Sequence, residues 1–466
     1  MGSRNRVSYA VQDIFVGSPG SGEANFVVTG YTGDGALTGQ QFQILKRLNT
    51  VQSFDYTFDM PRSDAQVLGK TSPADRISEA PPAIQANLSY YLEGINNELR
   101  LGFSAQNQLD PQEVPFVSGL MFPPSPDCQG GRNLYLVSTK EGEGGLRDVT
   151  YGAYPVIETG SVLPYFDIDD FIDNNSPSYN TFIIQNCYVN SYQVKFQVGE
   201  LATVDVGLIG DAGNFLNTAS GVSIPHLSAY DGSSFYKNRA GTRVDQSEGV
   251  KFFIPRAFES NPDELTSIPK YKSFLFSSKD IDLSITQDNP SGINWIIDSV
   301  QSCEISLTLA RDPVPYLGYK LYTDRPVKMP VKATISMELL TSGNVTGDFL
   351  SSFEYDAKYN LNINLKGHKN ITGAKIVEDV LKYKISGADL LAADYTSTIG
   401  TNKTTSLNFG LDIDFDDPTR NLYVSGKRFQ LADQYVVSGG APWPTLVDDS
   451  GNALINERTA DLFPVF

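Results

Sequence analysis

Part of this chain occurs twice. Residues 51–92 lie over residues 300–341 without a gap. Val51-Gln52-Ser53 falls on Val300-Gln301-Ser302, Arg62 on Arg311 and Leu68-Gly69 on Leu317-Gly318; Asp75-Arg76 falls on Asp324-Arg325 and Pro81 on Pro330. A unit written twice imposes internal pseudo-symmetry on whatever the chain folds into. Only two copies, at an offset of 249, predict duplicated domains and not a solenoid.

The copies read as β-structure. Ser53–Met60 alternates strictly: Phe54, Tyr56, Phe58 and Met60 share one face, and Ser53, Asp55, Thr57 and Asp59 the other. Ser302–Leu309 keeps the same parity, with Glu304 and Thr308 on the polar side and Cys303 at an apolar, core-type position. A second alternating strand follows in each copy, at 84–91 and 333–339, which predicts an antiparallel hairpin with one wet face. The connecting loops, 61–82 and 310–332, are too long to serve only as turns. A second hairpin recurs later: 193–208 in copy one, 395–414 in copy two. There the offset drops to 201–203, so copy one carries about 48 extra residues, placed within 103–180. The polar, turn-rich stretch 223–250 reads as a connector between domain 1 (1–222) and domain 2 (251–466). Ile376–Tyr383 reads as a short helix, and the stretch after Val424 as an extended arm.

Composition removes several function classes. The net charge of −18 disfavours a grip on nucleic acid, which needs clustered Lys and Arg. Three scattered cysteines, Cys128, Cys187 and Cys303, form neither a disulfide framework nor a zinc motif, and suit a reducing compartment. Only two histidines are present, His226 and His368. No apolar run approaches a membrane span, and the N-terminal MGSRNRVSYAVQD has no signal-peptide core. P-loop, GxGxxG, HExxH and GxSxG motifs are absent. Asp55 and Asp59 could pair as glycosidase carboxylates, but their duplicates are Glu304 and Thr308, so the pair is not kept within the chain. No catalytic residue, metal or cofactor is expected.

The polar strand faces carry Asp55, Asp59, Asp205, Glu304, Glu338, Asp412 and Asp414, against Lys195. The solvated back of a β-sandwich would explain any one such strand; it explains eight less well. Gly69 and Gly318 fit positive-φ turns. Asp75-Arg76 and Asp324-Arg325 fit capping acids or loop-fixing ion pairs, with contacts between subunits as the other reading.

Asn186–Tyr192 with Val198–Val206, Asn133–Val137 with Lys140-Glu141-Gly142, Ile399–Phe409, and the stretches Ser53–Leu68 and Ser302–Leu317 resemble the hairpins and loops of tailed-bacteriophage tail tube proteins. The resemblance touches both halves, roughly half of the chain. It implies two tail-tube-like β-sandwich domains whose inner sheets join those of neighbours into a barrel, rings of six domains built from three copies, and stacking into a tube. About 24 strands per ring at ~4.8 Å spacing and ~40° tilt give a barrel of roughly 45–50 Å, wide enough for a DNA duplex. The acids would then line the channel and repel phosphate. Arg62, Gly69, Asp75, Arg76, Arg311, Gly318, Asp324 and Arg325 would lie in ring-to-ring loops. The implied partners are further copies of the chain, other tail proteins at the tube ends, a surrounding sheath, and DNA passing without specific binding. The implied location is the virion tail, after synthesis in the bacterial cytoplasm, with no membrane involved. The duplicated part would form the barrel and the unduplicated part an outer decoration. A tail hub, distal-tail or baseplate ring protein is the alternative of the same fold; a carbohydrate-binding or glycoside-cleaving β-sandwich is the alternative of another class.

Overall fold

The computed structural model of the chain describes, with short breaks, residues 12–17, 26–28, 41–107, 114–121, 131–139, 179–216, 226–253, 275–340, 357–426 and 455–456. The fold is mainly β and its sheets are largely antiparallel, as the alternation predicts. One set of strands is β1 (Gln12–Gly17), β2 (Lys46–Arg47), β3 (Val51–Asp59), β4 (Ala83–Tyr91), β5 (Arg132–Thr139), β6 (Tyr179–Gln197), β7 (Thr203–Gly210) and β8 (Ala212–Leu216). The other is β9 (Ile281–Gln287), β10 (Asn294–Ile296), β11 (Val300–Thr308), β12 (Val331–Leu340), β13 (Lys358–Ile371), β14 (Ala374–Thr396), β15 (Thr404–Ile413) and β16 (Leu422–Gly426).

Eight strands form one inner sheet in the order β3-β4-β7-β6-β11-β12-β15-β14. The first four belong to one set and the last four to the other. Each set adds an outer sheet, β2-β1-β5-β6-β8 and β10-β9-β13-β14-β16. Apolar residues at alternate positions turn into the space between the sheets: β4 buries Ile84, Ala86, Leu88 and Tyr90, and β12 buries Ala333, Ile335, Met337 and Leu339. These belong to one continuous core.

The register shows how far the duplication extends. Phe54 pairs with Leu88 and Cys303 with Met337, the same offset of 249. Val206 pairs with Leu88 and Leu407 with Met337, which sets the later offset at 201 and removes the 203 alternative. Bulges repeat too, after Val51 and Val300, and after Val189 and Leu390. β6 and β14, 19 and 23 residues long, are too long for one sheet. Each crosses from the outer to the inner sheet at a left-handed residue, Asn186 (φ 51°) and Gly387 (φ 72°), 201 positions apart. The same device holds each bend. Asn133 Oδ1 accepts the Asn186 amide at 3.2 Å, and Asn360 Oδ1 accepts the Gly387 amide at 3.0 Å. A Cβ on Gly387 would stand 2.4 Å from the Thr419 carbonyl oxygen. Gly387→Ala is therefore expected to cost about 2–3 kcal/mol, combining a strained φ with a backbone clash, read as a lower urea midpoint.

Three expectations change. Ile376–Tyr383 is strand, part of β14: pairing with β13 on one side and β16 on the other outweighs the weak helical spacing. The extra residues of copy one do not form a single block. β5 lies within 103–180 and has β13 as its counterpart, offset by 227. The fall from 249 to 227 puts 22 extra residues before β5, and the fall to 201 puts 26 after it. The first of these extra segments is not surface decoration. It carries α1 (Asn96–Leu101), closed by Gly102 in the left-handed conformation, and α2 (Ser118–Met121). Phe103 and Phe116 stack at 4.4 Å inside the core against Tyr192, and Gln106–Asn107 adds a parallel strand to β16 of the other set. Within 223–250 the described residues make a three-stranded sheet, His226–Leu227, Ser234–Lys237 and Arg243–Val244. Most of the C-terminal arm, and Cys128, lie outside the described residues.

Candidate functional site

The geometry that matters lies on the inner sheet: one polar face, two outer edges, and the junction where the halves meet. Strand parity puts Asp55, Asp59, Asp205, Glu304, Glu338 and Asp412 on the polar face with Lys195. Parity adds Lys332, opposite Asp412, and Asp394, opposite Ser406; neither was singled out from sequence. Asp414 lies past the end of β15, where its Oδ1 accepts the Asp416 amide at 3.0 Å. Several of the acids are partnered within the chain. Asn87 donates to Asp55 at 2.8 Å, Lys195 pairs with Asp205 at 3.0 Å, and Gln193 donates to Glu304. Among the described residues no group of His, Cys, Asp or Glu is placed to hold a metal ion. No described helix is long and apolar enough to cross a membrane.

The junction joins β6 to β11 over seven register pairs, from Ser191↔Thr308 to Gln197↔Ser302. Its apolar side is sealed: Val194, Ile305, Leu307 and Leu309 are fully buried. A buried clamp closes one end. Arg325 donates from Nε to Asp211 Oδ1 at 2.9 Å, and its Nη2 makes an ionic contact with the same oxygen at 2.8 Å. Both side chains are almost wholly buried. Burial raises the Asp211 pKa more than Arg325 lowers it. Arg311 donates to the carbonyls of Val189 (3.0 Å) and Arg325 (3.1 Å) and lies over the Tyr188 ring. Loss of water lowers its pKa to about 10.

The duplicated loops keep their frame but differ in surroundings. Arg62–Ala65 pairs with Asp75–Ser78, and the equivalent bridges Arg311↔Val327 and Val314↔Asp324 keep the register. Asp75 and Asp324 each accept the amide of the following arginine, at 2.8 and 2.7 Å, and so act as capping acids. Gly69 and Gly318 have φ 86° and 85°, and Leu68 and Leu317 before them are fully exposed. Arg76, the duplicate of buried Arg325, is exposed and pairs with Asp64 at 2.9 Å. Tyr230 packs on Tyr319, which also meets Tyr316, so the segment after copy one docks on the loop of copy two.

The outer edges invert the junction's burial. Among the described residues β3 pairs only with β4, and Ala392–Thr396 of β14 only with β15. Tyr56, Phe58 and Met60 are 40%, 49% and 48% exposed, whereas their duplicates Ile305, Leu307 and Leu309 are fully buried. On β14, Tyr395 is 50% exposed where Val194 is buried.

No family model and no curated protein matches this chain. Among solved structures it is similar to a chain of the six-fold symmetrised anti-feeding prophage baseplate, at 13% identity over 32% of this chain and 94% of that one, with a TM-score of 0.24. It is similar to a chain of the gene transfer agent virion at 12% identity, over 33% of this chain and 98% of that one, with a TM-score of 0.19. A crystallised Hcp protein matches at 8% identity, over 32% of this chain and 98% of that one, with a TM-score of 0.18.

Proposed function

We propose that this protein is a phage-tail structural subunit without enzymatic activity, three copies of which close into a pseudo-sixfold ring, and that such rings stack into a tail tube. The observation that carries the reading is the inner sheet. Two four-strand units are already joined edge to edge within the chain, and the two outer edges present the same elements without a pairing partner among the described residues. A sheet with two long, apolar, unpaired edges aggregates unless those edges are covered, and closure into a barrel covers both. Closure puts one face of the sheet on the inside. With the polar face inward the channel carries mostly carboxylates, which repel phosphate and let DNA slide. The exposed Leu68 and Leu317 tips would then reach the next ring.

Negative-stain electron microscopy of the purified protein tests this. Closed rings with threefold symmetry, stacked into tubes, are expected. Rings that never stack would favour the hub or baseplate form, and a monomer at every concentration would overturn the ring reading.

A further inference from the structure

The junction inside the chain is a template for one between chains, and the residues for a second copy of it stand on the two outer edges. Resting on the ring reading above, we infer that β14 of one copy pairs antiparallel with β3 of the next in the register of β6 and β11, and that Arg76 there exchanges Asp64 for Asp412 of the partner subunit.

The register follows from two offsets fixed by backbone pairing, 249 between β3-β4 and β11-β12, and 201 between β6-β7 and β14-β15. Carried onto the outer edges, the pairing of β6 with β11 sets Ala392 opposite Asp59, Ala393 opposite Phe58, Asp394 opposite Thr57, and Tyr395 opposite Tyr56. The matching bulges after Val189 and Leu390 keep both donor strands in phase.

The charges on the two edges are complementary. Arg325 and Asp211 make the buried clamp of the inner junction; their duplicates are Arg76 and Asp412, both exposed. Arg311 binds the Val189 carbonyl and covers the Tyr188 ring; its duplicate is Arg62, and those of Val189 and Tyr188 are Leu390 and Asp389. One edge thus brings two arginines to two aspartates on the other, of which Asp389 already pairs with Lys358 within its own chain and Asp412 is left for Arg76. The pairing of Arg76 with Asp64 is peculiar to the outer edge, because copy two has Pro313 at that position. It holds an arginine whose duplicate is clamped by a residue of the neighbouring unit. Asp412 consequently belongs to the contact between copies and not to the open channel wall.

The full-length chain carrying Thr57→Cys and Asp394→Cys tests the register. Directly opposed positions lie within disulfide reach, and positions two residues out of register do not. Mild oxidation is expected to give a covalent ladder ending at the trimer on non-reducing gels. Thr57→Cys combined with Ala392→Cys is expected to link at least tenfold less. Arg76→Asp and Asp412→Arg should each lower the ring fraction at least tenfold by size exclusion with light scattering, with an unchanged circular dichroism spectrum; the two together should restore it. Rings in the unsubstituted protein without a 57–394 crosslink would overturn this register and leave the ring reading standing. Single charge variants that assemble normally would overturn the Arg76–Asp412 pair. An unsubstituted protein that never oligomerises would overturn the ring reading and this inference with it. If a charge variant fails to fold, the cysteine pair still decides the register, and the neutral variants Arg76→Gln and Asp412→Asn, each expected to lower the ring fraction, decide the ion pair.

Discussion

Asp211→Asn is expected to destabilise the chain by about 3–5 kcal/mol, the usual cost of removing one partner from a buried ion pair. The change leaves the Arg325 guanidinium, almost wholly buried, facing a neutral amide. Arg311 stands beside it, so the site would hold two cations with Asp324 as the acid left near them. The measurement is a urea midpoint followed by far-ultraviolet circular dichroism, at concentrations where the protein is dispersed, because assembly would add its own concentration-dependent stability. Replacing both partners, with Asp211→Leu and Arg325→Met, is expected to recover most of the loss, since no uncompensated charge remains. Asp64→Ala, which removes the exposed partner of Arg76, should change the same midpoint by well under 1 kcal/mol. The same duplicated arginine is thus expected to matter greatly for folding in one copy and hardly at all in the other.

That contrast also marks where sequence reading stops. Alternation in Ser53–Met60 and Ser302–Leu309 carries the strands and their faces, because side-chain parity is a local property of the chain. The repeat carries the hairpins, since equal spacing produces equal register. Neither shows which edge meets which. That β6 meets β11 depends on contacts between residues more than 100 positions apart, such as Lys195 with Glu304. Asp211 was invisible for the same reason: it is a lone acid in a turn, and its meaning comes from Arg325, 114 positions away. Asn133 and Asn360 were hidden differently. Their offset, 227, is neither 249 nor 201, so neither repeated hairpin brings them into alignment. Lys332 and Asp394, by contrast, were within reach, the first from parity along Val331–Leu340 and the second from the 201 offset applied to Gln193.

The helical segment of copy one could not have been read as core. Asn96–Leu101 is polar, and a polar hexamer reads as surface. It is buried because its polar atoms find partners inside. Tyr90 donates to Glu98 Oε1 at 2.9 Å, Tyr192 is 3.4 Å from the same oxygen, and the hydroxyls of Tyr192 and Tyr383 meet at 3.1 Å. These groups come from α1, β4, β6 and β14, so one small polar cluster ties both halves to the segment that only copy one possesses.

Glu98→Gln is expected to stabilise the protein at pH 8.5 and to flatten its stability between pH 5 and 8.5. Burial pushes the Glu98 carboxyl up to about 7 from an ordinary 4.5, against the hydrogen bonds that favour the ionised form. The folded state therefore holds a proton that the unfolded chain releases. For a group raised on folding, the contribution is complete below pH 4.5, declines as pH rises, and is lost above pH 7. A displacement of this size corresponds to about 3 kcal/mol. Glu93, also raised by burial, adds in the same direction and remains in the variant, so the difference between the two proteins isolates Glu98. Oε2 of Glu98 has no hydrogen-bond partner among the described residues, so the second oxygen gains nothing from ionisation. Glutamine keeps the acceptor for Tyr90 and Tyr192 and removes the charge. Urea midpoints of both proteins at pH 5 and pH 8.5 give the answer. Parallel curves would show that the carboxyl stays ionised in the core, and that solvent or an unassigned cation compensates it.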